Sequence, residues 1–231
     1  MKNTVMIKRG MVAAALACGA VSSIASAGVS GSAGLANLYL WRGLDISAGR
    51  PAFYGSLDYH HASGLYAGIW GSSEGPRDSD DDGDNDSGTS EYDLYAGYGN
   101  QIGDLMYDLS YVYYNYPSAD DGDLSEVVMK LGYAGFSAAG YFGVGKVGHG
   151  SSQTDNRDNY FTLAYHYGQY GILVGTWDRD ASDSNYTHVD LSYALTDQLA
   201  FTLSKVVDAE EASGASDSDD PLFVVSYTFK F

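Results

Sequence analysis

The sequence is poor in several things at once. It has one cysteine, four prolines, and only 12 Lys or Arg against 30 Asp or Glu, for a formal net charge of −18. One cysteine excludes a disulfide framework and any cysteine-built metal site. So few basic residues exclude a nucleic-acid groove, which must meet phosphate with Lys and Arg. Charged residues and turn formers interrupt the chain throughout, so there is no bundle of transmembrane helices, each of which needs about 20 apolar residues. Disorder is excluded from the other side, because hydrophobic residues make up 45% and aromatics 14%, enough to build a core. What the chain has in plenty is glycine (29) and tyrosine (21).

Lys2, Lys8 and Arg9 precede an apolar run from Gly10 to Val21 and an Ala25-Ser26-Ala27 cleavage site. This pattern predicts a secretory signal peptide over residues 1–27, set aside from the fold, and a mature domain over 28–231. Cys18 makes a poor lipoprotein signal, because Ala15-Leu16-Ala17 is a weak lipobox and apolar sequence continues beyond it.

From Ala33 onward the hydrophobic pattern has period two, not 3.6. Tyr, Val, Phe and Leu dominate the patterned runs, as strands prefer. The predicted strands are 33–42, 51–60, 64–72, 91–100, 104–116, 123–133, 136–146, 158–167, 170–178, 185–195, 198–206 and 221–231. Their lengths suit tilted crossings of a bilayer, which take about 9–11 residues. Connections alternate between tight turns, such as Ala134-Gly135 and Gly168-Gln169, and long polar loops at 43–50, 73–90, 117–122, 147–157, 179–184 and 207–220. Most of the 30 acidic residues fall in the long loops. The fold class predicted is all-β: a transmembrane antiparallel β-barrel of 12 strands, with short periplasmic turns and long acidic external loops.

The last strand ends in Phe231, preceded at two-residue steps by Phe229, Tyr227, Val225 and Phe223. Tyr227, Phe229 and Phe231 resemble the C-terminal signature by which the barrel assembly machinery recognises its clients. That phase turns Phe53, Leu57, Leu94, Leu109, Met129, Leu131, Leu163 and Leu191 toward lipid. It turns Asp58, Asp93, Asp108, Glu126, Lys130, His188 and Asp190 into the lumen, along with Asn37, Tyr54, Tyr95 and Tyr114. Lys130 is expected near Ser110, with Asp108 on the diagonal.

Several stretches carry a family resemblance. Tyr39-Leu40-Trp41-Arg42-Gly43-Leu44, Gly55-Ser56-Leu57-Asp58-Tyr59, Gly64 through Trp70, Glu91 through Tyr98 and Tyr111 through Pro117 resemble the TorF-type porin family of proteobacteria. The resemblance covers essentially the whole mature chain and is strongest up to Pro117. It implies a Gram-negative outer-membrane barrel with a channel role, and brings no site residues with it.

Twelve strands lie between eight, whose lumen side chains can fill, and sixteen, which leave an open channel. The inward residues carry more carboxylates than cations, and carboxylates in a bore favour cations. The function expected is a narrow porin-like channel for small polar or cationic solutes. The alternative is a closed structural or adhesive surface barrel whose acidic loops bind divalent cations or lipopolysaccharide. In one such loop Asp78, Asp80, Asp82, Asp84 and Asp86 surround Gly83 in a D-x-D-x-D-G pattern, the oxygen-rich arrangement Ca²⁺ takes. The closing glutamate is missing, with Thr89 in its place, so a solvated acidic loop competes with the calcium reading. No other cofactor is implied. Arg42, Arg50, Arg77, Lys146, Arg157, Arg179 and Lys205 lie toward the same end and could meet lipopolysaccharide phosphates. His188, Asp190 and Ser192 share one strand face, but i, i+2 and i+4 cannot converge as a nucleophile, base and acid. The sequence therefore predicts no enzyme.

Overall fold

The computed structural model describes residues 27–74, 90–117, 123–144, 146–147, 154–155, 157–181, 183–211, 213, 215 and 220–231. The signal segment up to Ser26 and the Asp78–Asp86 run lie outside these residues. Twelve strands close into one antiparallel barrel. They are β1 Gly28–Ala36, β2 Ala52–His60, β3 Leu65–Ser73, β4 Ser90–Ile102, β5 Leu105–Asn115, β6 Leu124–Tyr133, β7 Phe136–Gly143, β8 Asn159–Tyr167, β9 Tyr170–Asp178, β10 Tyr186–Ala194, β11 Leu199–Ala209 and β12 Leu222–Lys230. Sequence neighbours pair throughout, and β1 closes the ring on β12. At that seam Gly31 and Phe231 exchange both backbone hydrogen bonds, at 2.8 and 3.0 Å. Closure pairs the last free edge, as strands in hydrocarbon require.

The strand faces follow the period-two reading. Phe53, Leu57, Leu94, Leu109, Met129, Leu131, Leu163, Leu191 and Phe223 stand exposed on the outer face. Tyr59, Tyr98, Tyr133, Tyr167 and Tyr170 are exposed toward the short-turn end, where amphipathic rings suit the headgroup level. The ambiguous strand β9 resolves cleanly: Ile172 and Val174 are exposed while Gly175 and Trp177 are buried inside. Asp108 stands directly opposite Lys130, and Ser110 opposite Val128. The pair is thus closer than its expected diagonal.

The first strand departs from expectation. It begins at Gly28 and ends at Ala36, not 33–42. Its small residues offer little strand propensity, but its neighbours use the space. A Cβ on Gly31 would lie 2.6 Å from the Phe231 ring, and one on Gly34 would strike the Tyr54 ring. Glycine here lets an aromatic lie flat across the sheet.

Beyond Asn37 the chain leaves the wall until β2 begins at Ala52. Leu40–Trp41 pairs with Leu44–Asp45 in a small hairpin, and Leu38, Tyr39, Leu40 and Arg42 are buried. The turn between the limbs has φ +49° at Arg42 and +89° at Gly43, the double positive of a type I′ turn. Asp45 fixes the returning limb by accepting from Ser47 N–H, Ser47 O–H and Gly49 N–H. Asn37, expected in the lumen, is exposed and hydrogen-bonds the β12 backbone at Phe223 and Val225.

Candidate functional site

The hairpin belongs to the β1–β2 connection, yet its tip reaches the far wall. Arg42 donates from both terminal nitrogens to Glu126 on β6, at 3.0 and 2.6 Å. Tyr114 donates to the same carboxylate at 2.9 Å. The guanidinium carbon lies 4.6–4.7 Å from the ring centres of Trp41, Tyr141, Tyr160 and Trp177. Tyr186 donates to the Arg42 carbonyl at 2.9 Å. Arg42 and Glu126 are 5% and 1% exposed, so water screens neither. Burial works against the Arg42 charge, but the Glu126 carboxylate outweighs it and holds the guanidinium above its ordinary pKa.

An Arg at the first position of a type I′ turn breaks the local rule, which favours Asn, Asp or Gly. A left-handed non-glycine residue costs roughly 1–2 kcal/mol. The charge-assisted fork and the aromatic faces are what offset it. Trp41 packs against both the Tyr39–Trp70–Tyr114 cluster and the Tyr160–Trp177–Tyr186 cluster. The hairpin thus joins two sides of the wall across the lumen.

A recurring device lines that wall. Tyr95 lies across Gly68, its partner on the next strand, and donates to Asp58 one strand further on. Tyr66 lies across Gly97 and donates to Asp108 at 2.8 Å. Tyr54 lies across Gly34 and shares a 2.7 Å hydrogen bond with Thr228. Tyr160 passes Gly175 and meets His188 Nε2 at 2.7 Å, while His188 Nδ1 meets Asp190 at 2.9 Å. Glycine supplies the flat floor and tyrosine the reach, which gives the abundance of both a common cause. The β10–β11 ladder shifts register beside His188, where a bulge re-aims a side chain. Replacing Tyr66 by Phe leaves a buried Asp108 oxygen short of a donor. It should cost about 1.5–3 kcal/mol, the range for hydrogen bonds to charged groups, read as a lower urea midpoint of the folded barrel in detergent.

All seven expected lumen residues face inward, but the structure divides them. Glu126 holds Arg42, while His188 and Asp190 form the chain to Tyr160. Asp93 is buried beside Glu91, which accepts from Tyr39 and Tyr116 at 2.7 and 2.8 Å. Burial, and after it the Glu91 charge, raises both phenols well above their ordinary pKa, so both stay donors. Asp108 is also buried, while Asp58 and Lys130 remain half-exposed. Arg42 does not stand at the rim for phosphate: it is inside. Arg179 stacks over Trp177 and Tyr186 at 5.0 and 5.2 Å and donates to the Ser213 carbonyl. Sequence reasoning missed the hairpin, Tyr141, Tyr160 and Trp177. The available signal was Gly43 alone, which suits the second central position of such a turn; nothing local marked Arg42.

Fold and lumen together define an outer-membrane-type β-barrel with an inserted hairpin. The chain belongs to the Gcw_chp family, described as a bacterial protein of unknown function, whose model matches residues 20–220. No curated protein matches it. Among solved structures it is similar to the Salmonella typhi outer membrane phospholipase dimer with bound calcium. Identity is 14% over 86% of this chain and 89% of that chain, with a TM-score of 0.48. It is similar also to outer membrane phospholipase A from Escherichia coli, at 12% identity over 86% and 91% of the two chains, with a TM-score of 0.49. The expectation that the chain is no enzyme is corrected here, because these neighbours are enzymes. At such identity the likeness concerns the fold alone. His188 also meets a residue beyond its own strand, since Tyr160 from β8 reaches it opposite Asp190.

Proposed function

We propose that the protein is exported by its N-terminal signal segment to the outer membrane of a Gram-negative cell and acts there as a narrow, porin-like channel. The observation that carries this reading is the unequal filling of the lumen. The long-loop half is stopped by the 37–51 hairpin. Toward the short-turn end, half-exposed inward polar groups remain at Ser56, Asp58, Lys130, Ser192, Ser226 and Thr228. Half-exposed polar groups facing inward suit a path for polar solute better than a fully packed plug. The resemblance of Tyr39–Leu44 and Glu91–Tyr98 to TorF-type porins points the same way. The carboxylates at Asp58 and Asp108 favour cations or small neutral polar solutes.

Planar-bilayer recording tests it. Wild-type protein should conduct weakly and prefer cations at low salt, where carboxylates are least screened. Replacing residues 38–47 by a short Gly-Ser link should raise single-channel conductance. Asp58→Asn with Asp108→Asn should lower the cation preference. Silence from both the wild type and the shortened variant would overturn the channel and favour a closed surface barrel.

A further inference from the structure

Arg42 is held as a ligand is held. Its charge sits between aromatic faces at 4.6–4.7 Å, with one carboxylate taking the fork edge-on. Most of this surround is not part of the hairpin. Glu126 and Tyr114 come from β6 and β5, Tyr141 from β7, Tyr160 from β8 and Trp177 from β9. Only Trp41 would leave with the tip. These wall residues are mostly buried and tied to one another: Tyr114 bonds Glu126, Tyr160 bonds His188, and the Tyr160 and Trp177 rings pack at 5.3 Å.

We propose that the lumen wall carries a binding site for small guanidinium-type organic cations, in which Arg42 sits as a tethered occupant. The chemistry selects the class. A carboxylate with an adjacent ring cage takes planar, weakly hydrated cations in preference to metal ions or anions. The forked pair on Glu126 favours guanidinium over a simple ammonium. Arg42 Nε is buried with no acceptor among the described residues, so faces and one fork hold the group. A tethered occupant competes at an effective concentration near the millimolar range for a short linker. Free solute therefore binds weakly until Arg42 is withdrawn. The inference rests on the channel reading only for the route by which solute arrives.

Arg42→Ala, purified in detergent, tests the site through calorimetry and tryptophan fluorescence, with methylguanidinium at low millimolar concentration as probe. Methylurea serves as the neutral isostere. The variant should bind methylguanidinium at least about tenfold better than wild type does, and should ignore methylurea. Adding Trp177→Ala or Glu126→Gln should weaken that binding by about tenfold or more, the loss expected of a desolvated cation–π or charged contact. If Arg42→Ala does not reach the heat-modifiable folded form alone, methylguanidinium in the refolding mixture should restore it where methylurea does not. Equal response to the two probes, in binding or in refolding, would overturn the site. Binding without conductance would keep the site and sink the channel; conductance without binding would do the reverse.

Discussion

Glu126→Ala should be the most damaging single substitution in the lumen. It leaves the Arg42 guanidinium, 5% exposed, without its counter-charge. Breaking a buried pair by removing one partner costs about 3–5 kcal/mol. Equilibrium urea unfolding in detergent, followed by tryptophan fluorescence, would read that loss. The sharper result is the double variant. Arg42→Leu with Glu126→Leu removes both charges and keeps apolar bulk, and replacing a buried pair in this way is often neutral or stabilising. The double variant should therefore recover most of what Glu126→Ala loses. Equal destabilisation of the two would mean that shape, not charge, seats the hairpin tip.

Gly43→Ala comes next, and Gly49→Ala is its control. Both glycines have positive φ, +89° and +72°. Nothing lies within 4 Å of a Cβ on Gly49, whereas one on Gly43 would lie 2.5 Å from His188 Cγ and 2.7 Å from His188 Cβ. The control bears only the backbone cost, roughly 1–2 kcal/mol. Gly43→Ala adds an overpacking cost of about 1–3 kcal/mol, because His188 is pinned at both ring nitrogens and cannot yield. The tip should lift, giving a red-shifted Trp41 signal and faster proteolysis between residues 37 and 51. Gly49→Ala should do neither. Matching behaviour of the two variants would show that the tip does not bear on His188.

The wall was legible in the sequence because each strand face repeats one physical demand. Lipid selects Phe53, Leu57 or Leu163 at every second position, and the lumen selects the polar residues between. The strand count and the inward set follow from that alternation. What lies within the ring obeys no such rule. Leu38-Tyr39-Leu40-Trp41 is apolar throughout, a short run that reads as part of a strand, and a hairpin packed between two walls needs apolar positions on each side as well. Its tertiary setting, not its periodicity, takes it out of the wall. Gly28–Ser32 failed in the opposite direction. Val29 apart, it has little strand propensity, and the Phe231 ring lying across Gly31 uses the space its small residues leave. The cage around Arg42 draws on five wall strands and one loop, so no local window contains it. His188 and Asp190 were visible as a pair two residues apart, but their third partner, Tyr160, is 28 residues away.

The seam between β1 and β12 also bears on how the ring can close. It joins the first and last strands of the ring, so the sheet cannot close before both are in place. The hairpin follows directly on β1, and its anchors on β5 to β9 lie around the far side of the ring. An open sheet offers those anchors on its concave face. The tip can be laid there first and the wall wrapped around it, with Phe231 as the final latch against Gly31. No loop then has to be pushed through a finished mouth, and a barrel arrested before closure would expose its stopper together with its unsealed edges.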